Sequence, residues 1–151
     1  MKRCLIAILF FTSMILTGCE TQIDPPIIIE EPNVSFIEKE NLDSDYVSWY
    51  GRHQKIDNQE YFYNTATGFK ISFTGRIVDI TLSLDDKNND IYFSLAKDDQ
   101  ALLEGEVLVL SQDTQTFRVT FDTYEEHQVQ MVKRSEPEDG ITSLVSLETN
   151  G

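Results

Sequence analysis

Phe69-Lys70-Ile71-Ser72-Phe73-Thr74-Gly75-Arg76-Ile77-Val78-Asp79-Ile80-Thr81-Leu82-Ser83-Leu84 is the stretch whose reading decides the fold. Phe69, Ile71 and Phe73 alternate with Lys70, Ser72 and Thr74. After Gly75 the alternation resumes as Val78, Ile80, Leu82 and Leu84 against Asp79, Thr81 and Ser83. Successive side chains of an extended strand point to opposite faces, so this period of two marks strands with one face buried. Two strands separated by a turn at Gly75 are expected here. The same pattern recurs downstream in Ile91, Phe93 and Leu95, in Phe117, Val119 and Phe121, and in Val129 and Met131. Between these runs stand turn residues: Thr67-Gly68, Asp85 to Asp90, Lys97-Asp98-Asp99, Gln112-Asp113-Thr114 and Asp139-Gly140. No stretch sustains a helical period. About nine short strands over residues 34–151 predict an all-β fold, an antiparallel β-sandwich of jelly-roll type.

The N-terminus has the architecture of an export signal. Lys2 and Arg3 precede an almost wholly apolar run from Leu5 to Ile15, followed by Leu16-Thr17-Gly18-Cys19. The run is shorter than the ~20 residues that cross a hydrocarbon core. The block resembles a bacterial lipobox. That resemblance implies cleavage before Cys19, lipidation of its thiol, and a membrane partner reached through the acyl chains. Glu20 follows Cys19, where an inner-membrane retention signal has aspartate. The expected location is therefore the bacterial cell envelope, at the outer membrane or cell surface. Residues 1–18 are the signal and 19–33 a tether stiffened by Pro25-Pro26 and Pro32 and solvated by Glu20, Asp24, Glu30 and Glu31. Ile27-Ile28-Ile29 reads either as a first edge strand or as an extended segment resting on the domain.

Net charge is −14, and it falls to −16 once Lys2 and Arg3 leave with the signal. Such a chain repels nucleic acid and anionic headgroups, so nucleic acid is excluded as a partner. Cys4 leaves with the signal and Cys19 is modified, so no disulfide is expected and the domain folds by its core alone.

From Trp49-Tyr50-Gly51-Arg52 onward the chain resembles the N-terminal jelly-roll domain of carbohydrate esterase family 2. The resemblance rests on the Gly51-Arg52 pair after an aromatic strand and on Thr67-Gly68-Phe69 leading to Phe73-Thr74-Gly75-Arg76. It rests also on Val129 to Val132 entering Lys133-Arg134-Ser135-Glu136, with Gly140 following. Serine stands where that family has threonine and keeps the hydroxyl. The resemblance implies an accessory module of a polysaccharide acetyl esterase. In that family an SGNH-type hydrolase domain follows, opening on Gly-Asp-Ser and closing on a histidine. This sequence contains no Gly-Asp-Ser triplet, and Tyr50 and Tyr124 stand three residues before His53 and His127, where an aspartate belongs. The esterase activity is therefore not carried over, and a truncated or accessory form is expected.

No catalytic residue, cofactor or metal is expected. His53 and His127 read as surface or half-exposed histidines on strands, with nothing placing either beside a nucleophilic serine. Asp85, Asp86, Asn88, Asn89 and Asp90 are oxygen-rich, but they lack the glycine and distal glutamate of a calcium loop and read as a hairpin turn. Glu125-Glu126 reads as a solvated turn. Arg52, Arg76, Lys133 and Arg134 read as strand cations pairing with a cross-strand carboxylate such as Glu136, with contact to a partner domain or sugar carboxylates the alternative for Arg52 or Arg134. Gly51, Arg52, Gly75, Lys133, Arg134 and Glu136 carry the family pattern and read as structural. Of the rings Trp49, Tyr50, Tyr61, Tyr63, Tyr92 and Tyr124, the candidates for sugar stacking are Trp49, Tyr50 and Tyr92, with Arg52 beside them. Tyr92 lies opposite Ile91 and Phe93 and should point outward. Polysaccharide or a hydrolase domain is the expected partner. The alternatives are a stand-alone surface carbohydrate-binding protein and an envelope spacer.

Overall fold

The computed structural model describes residues 35–37, 46–57, 59–85 and 89–150. The lipobox with Cys19, the tether, Ile27-Ile28-Ile29 and Asp86 to Asn88 lie outside the described residues. The described residues form nine strands: β1 (Ser35–Ile37), β2 (Val47–Tyr50), β3 (His53–Ile56), β4 (Gln59–Phe62), β5 (Gly68–Asp85), β6 (Ile91–Lys97), β7 (Glu106–Leu110), β8 (Thr114–Lys133) and β9 (Ile141–Thr149). Every pairing is antiparallel. The only helical element among the described residues is one 3₁₀ turn, Pro137–Asp139.

The decisive stretch forms one strand, not two. β5 runs 18 residues through Gly75, and the expected turn is a register shift between Gly75 and Ile77. A glycine inside an alternating pattern marks a bulge as readily as a turn, and a bulge bends the strand without ending its ladder. β8 behaves likewise. Its 20 residues include Glu125 and Glu126, which lie in register with Gly75 and Thr74 and form no turn. Two acids in sequence mimic loop composition, but the backbone ladder to β5 carries them through the bend.

This bent pair organises the fold. Residues 68–75 of β5 pair with 125–132 of β8 and, on the other edge, with β2. Residues 77–85 pair with 114–120 of β8 and with β9. β6 and β7 extend β8, while β4 with β3, and β1, extend β9. The sheet curls on itself into a β-sandwich of jelly-roll type. Its concave side encloses Phe62, Phe69, Ile80, Phe93, Met131 and Leu147, all fully buried or nearly so.

A bulge frees backbone groups that need partners. Asn150 supplies them. Its Oδ1 accepts from Arg76 N (2.7 Å) and Ile77 N (2.9 Å), and its own N–H donates to Ile77 O (3.2 Å). Asn150→Ala removes the acceptor from both amides and is expected to destabilise the domain by about 2 kcal/mol. Urea denaturation checks this: the midpoint should fall at unchanged slope.

Candidate functional site

One end of the sheet gathers residues distant in sequence. Gly51 follows β2 with φ of +69°, a left-handed conformation. A Cβ there would sit 2.9 Å from Ala66 O, so only glycine fits. The carbonyl of Arg52 accepts from Thr67 Oγ1 (3.3 Å). Residues 64–67 in turn zip onto the end of β8: Ala66 N donates to Lys133 O (2.9 Å) and Lys133 N donates to Thr67 O (2.8 Å). The two sequence blocks that looked separate, Gly51-Arg52 and Lys133 to Glu136, therefore meet across the 64–67 connection.

Lys133 itself corrects an expectation. Its side chain is fully buried, and Nζ donates to Gly140 O (2.6 Å) and Tyr63 O (3.3 Å), two carbonyls rather than the Glu136 carboxylate. The inward-facing alternation of β8 leaves it no other direction. Burial lowers its pKa below 10.5, against the opposing pull of Asp139 and Glu136. Glu136 instead accepts from Thr65 Oγ1 (2.9 Å). The Arg76 Nε donates to Phe121 O (3.4 Å). The bidentate cross-strand ion pair that does form joins Arg118 to Asp79 at 2.8 and 2.7 Å, residues not singled out in the sequence. The Ser135 hydroxyl accepts from Tyr92 N (2.9 Å), and Arg134 N donates to Tyr92 O (2.7 Å), so the family block fixes the start of β6.

Beside this block the outer surface opens into a cavity of about 430 Å³ lined by Tyr92, Val107, Arg134, Ser135, Glu136 and Asp139. Tyr92 is 45 % exposed and Val107 51 %. A second cavity, about 330 Å³, shares Arg134 and is lined also by Ser94, Leu102 and Leu103, the last 99 % exposed. Val107 escaped the sequence reading, since the run Glu106 to Leu110 carries no clean alternation, and Leu103 lies in the connection that precedes it.

The other ring candidates lie elsewhere. Trp49 packs against Phe62 and Phe69 and stacks on His53, ring centres 5.3 Å apart. Tyr50 is half-buried and Arg52 exposed. Tyr61 and Tyr63 stack on each other, and Tyr124 is exposed on β8. Of the oxygen-rich segment, Asn89 donates to Asp139 Oδ1 (2.8 Å).

The two histidines have partners of their own. His53 Nδ1 lies 3.0 Å from Glu60 Oε2. His127 is buried rather than surface-exposed, because it falls on the inward face of β8. Its ring stacks on Phe121 at 3.9 Å, Nδ1 lies 3.1 Å from Asp98 Oδ2, and Nε2 lies 3.0 Å from Thr123 O. Both nitrogens face acceptors, so the doubly protonated ring satisfies both. Burial opposes that charge. The Thr123 carbonyl and the Asp98 and Glu125 carboxylates outweigh it and raise the pKa above 6.5. The protonated ring therefore stabilises the fold fully below pH 6.5, and that contribution is lost as pH rises through the folded-state value. Asp98→Asn is expected to lower the His127 titration midpoint, read by NMR of the ring protons, and to flatten the fall in stability above pH 6.5.

The carbohydrate esterase 2 N-terminal family model matches residues 49–151. The chain belongs to the carbohydrate esterase 2 N-terminal family. Among solved structures it is similar to a family two carbohydrate esterase from Cellvibrio japonicus, with 18% identity and a TM-score of 0.61. The match covers 78% of this chain and 33% of that one. It is similar also to an acetyl xylan esterase from the rumen bacterium Butyrivibrio proteoclasticus (14% identity, TM-score 0.66, 80% of this chain and 32% of that one). The chain thus spans about a third of the length of these esterases. A CBM36 domain of a multidomain xylanase from the hindgut metagenome of Trinervitermes trinervoides shares the fold, with 12% identity and a TM-score of 0.55, over 79% of this chain and 98% of that one. No curated protein matches the chain.

Proposed function

We propose that this carbohydrate esterase 2 N-terminal module is a non-catalytic accessory to polysaccharide deacetylation, contacting the glycan at the cell envelope and held there by lipidated Cys19. The observation that carries the reading is the family match over residues 49–151, which covers the jelly-roll and both family blocks. The partners of the histidines support the denial of catalysis. His53 is engaged by Glu60 and stacked under Trp49, and His127 is enclosed by Asp98, Thr123 and Phe121. A base for acyl transfer needs a nucleophile within hydrogen-bond reach, and neither has one among these contacts.

A second reading, a stand-alone carbohydrate-binding protein, is favoured by one fact. A carbohydrate-binding module is matched over 98% of its own length, whereas the esterases are matched over a third. Retention of the mature chain on xylan and glucomannan, with no hydrolysis of an aryl acetate above background, is expected under both readings. Turnover that survives repeated purification overturns the non-catalytic proposal. Metabolic labelling with palmitate tests the anchor: incorporation should vanish in Cys19→Ser, and incorporation that persists removes Cys19 as the attachment point.

A further inference from the structure

We infer that the outer groove formed by Tyr92, Val107, Arg134, Glu136 and Asp139 binds a neutral oligosaccharide, an assignment that rests on the reading of this module as one that meets polysaccharide. The groove combines the three things a pyranose needs. Tyr92 and Val107 present a partly exposed apolar surface, 45 % and 51 % accessible, against which sugar C–H groups pack. Arg134 brings a guanidinium with five N–H donors to the same cavity. Glu136 and Asp139 supply acceptors that are already oriented. Glu136 Oε2 accepts from Thr65 Oγ1 (2.9 Å), while Asp139 accepts from Asn89 Nδ2 on Oδ1 (2.8 Å) and from Glu136 N on Oδ2 (3.2 Å). An ionised carboxylate accepts about four hydrogen bonds, so each retains capacity for sugar hydroxyls.

The backbone beneath is held as firmly. The Tyr92 N–H donates to the Ser135 hydroxyl and the Tyr92 carbonyl accepts from Arg134 N, so platform and donor are built on one another. A site whose groups are positioned before binding loses less entropy on association. The volume, about 430 Å³, lies within the ~300–1,000 Å³ of small-molecule clefts. Arg134 also lines the adjoining cavity with Ser94 and Leu102, so the groove continues past it and suits a chain of several units.

Charge decides the class of sugar. Among the described residues that line it, one arginine faces two carboxylates, a formal charge of −1 within a chain of −14. A uronate entering the groove would meet two fixed like charges for its one arginine, and the field of the whole molecule would oppose its approach. A neutral glycan meets neither obstacle.

The test titrates the mature chain with xylohexaose, cellohexaose and a glucuronate-bearing xylo-oligosaccharide of equal length, following backbone amides by NMR. The neutral hexaoses should shift Tyr92, Ser94, Val107 and Arg134. Tyr92→Ala should weaken them about tenfold, while Tyr92→Phe, which keeps the ring, stays near wild type. The uronate-bearing ligand should bind more weakly than its neutral counterpart, by a margin that shrinks with added salt. Neutral binding unaltered in a folded Tyr92→Ala, with shifts on another face, overturns the groove and leaves the module reading standing. Tighter binding of the uronate ligand overturns the assigned sugar class. No binding of any of the three overturns both the groove and the polysaccharide reading beneath it.

Discussion

Replacing Lys133 by alanine is expected to remove about 4 kcal/mol of folding stability. Its Nζ reaches from β8 to Tyr63 O, just past β4, and to Gly140 O, just before β9, so it ties three parts of the chain together inside the core. Alanine deletes the buried stem and leaves a cavity, and it strips both carbonyls of this donor. Lys133→Met separates these effects. It keeps most of the apolar volume and removes a buried charge while still leaving the carbonyls without the ammonium, so it should cost about 1–2 kcal/mol. The pH dependence gives an independent signature. Burial holds the folded-state pKa below 10.5, so between that lower value and 10.5 the unfolded chain binds more protons than the folded one. Stability contributed at this site therefore rises with pH across that window. Chemical denaturation between pH 8 and pH 10.5 should show a rise in wild type that Lys133→Met lacks. Equal slopes in the two proteins would mean that the buried amine does not change its protonation on unfolding.

The same lysine shows what a sequence conveys and what it withholds. Its inward position was legible, because residues 129, 131 and 133 share one face of an alternating run. Its partners were not. Tyr63 lies 70 residues away, and nothing local predicts that two backbone carbonyls rather than Glu136 receive the ammonium. Gly75 and Glu125-Glu126 fail in the opposite sense. Both are local signals of a turn, and both were overridden by a ladder running from Gly68↔Val132 to Ser83↔Thr114, which bends at a bulge instead of stopping. Alternation identified most of the core and the all-β class. It could not show that two pairs of expected strands were two continuous long ones, because strand continuity depends on pairing across the sheet.

At the groove, Tyr92 lies on the face opposite Ile91 and Phe93, which alternation had assigned to it. The family block Lys133 to Glu136 was visible as a motif, but its role in fixing the start of β6 depends on the Ser135 hydroxyl and the Arg134 amide, contacts that only the fold supplies. Val107 and Leu103 could not be read as groove residues, because an apolar residue in a short run or a loop carries no sign of the face it takes.

His53→Ala is expected to cost about 3 kcal/mol, because it leaves Glu60 buried without the imidazole it faces. Glu60 is 3 % exposed, and its Oε2 lies 3.0 Å from His53 Nδ1, with Trp49 stacked over the imidazole. The position was readable in hindsight: Glu60 stands two residues before Phe62 and so shares its inward face on β4. A carboxylate taken out of water requires a donor, and the loss on removing that donor exceeds the worth of the pair itself. Glu60→Gln removes the charge and keeps an oxygen for the Nδ1–H, so it should stay within about 1 kcal/mol of wild type. The double variant His53→Ala with Glu60→Gln should then recover most of the loss seen in His53→Ala alone, a coupling that a thermodynamic cycle measures directly. Trp49 is the only tryptophan in the chain, so its emission reports on this cluster without a label. It should change in His53→Ala and return little in the double variant, since the stacked ring is still missing. Should His53→Ala cost no more than the ~0.5 kcal/mol of an ordinary surface substitution, the Glu60 carboxylate draws its stabilisation from groups other than this histidine.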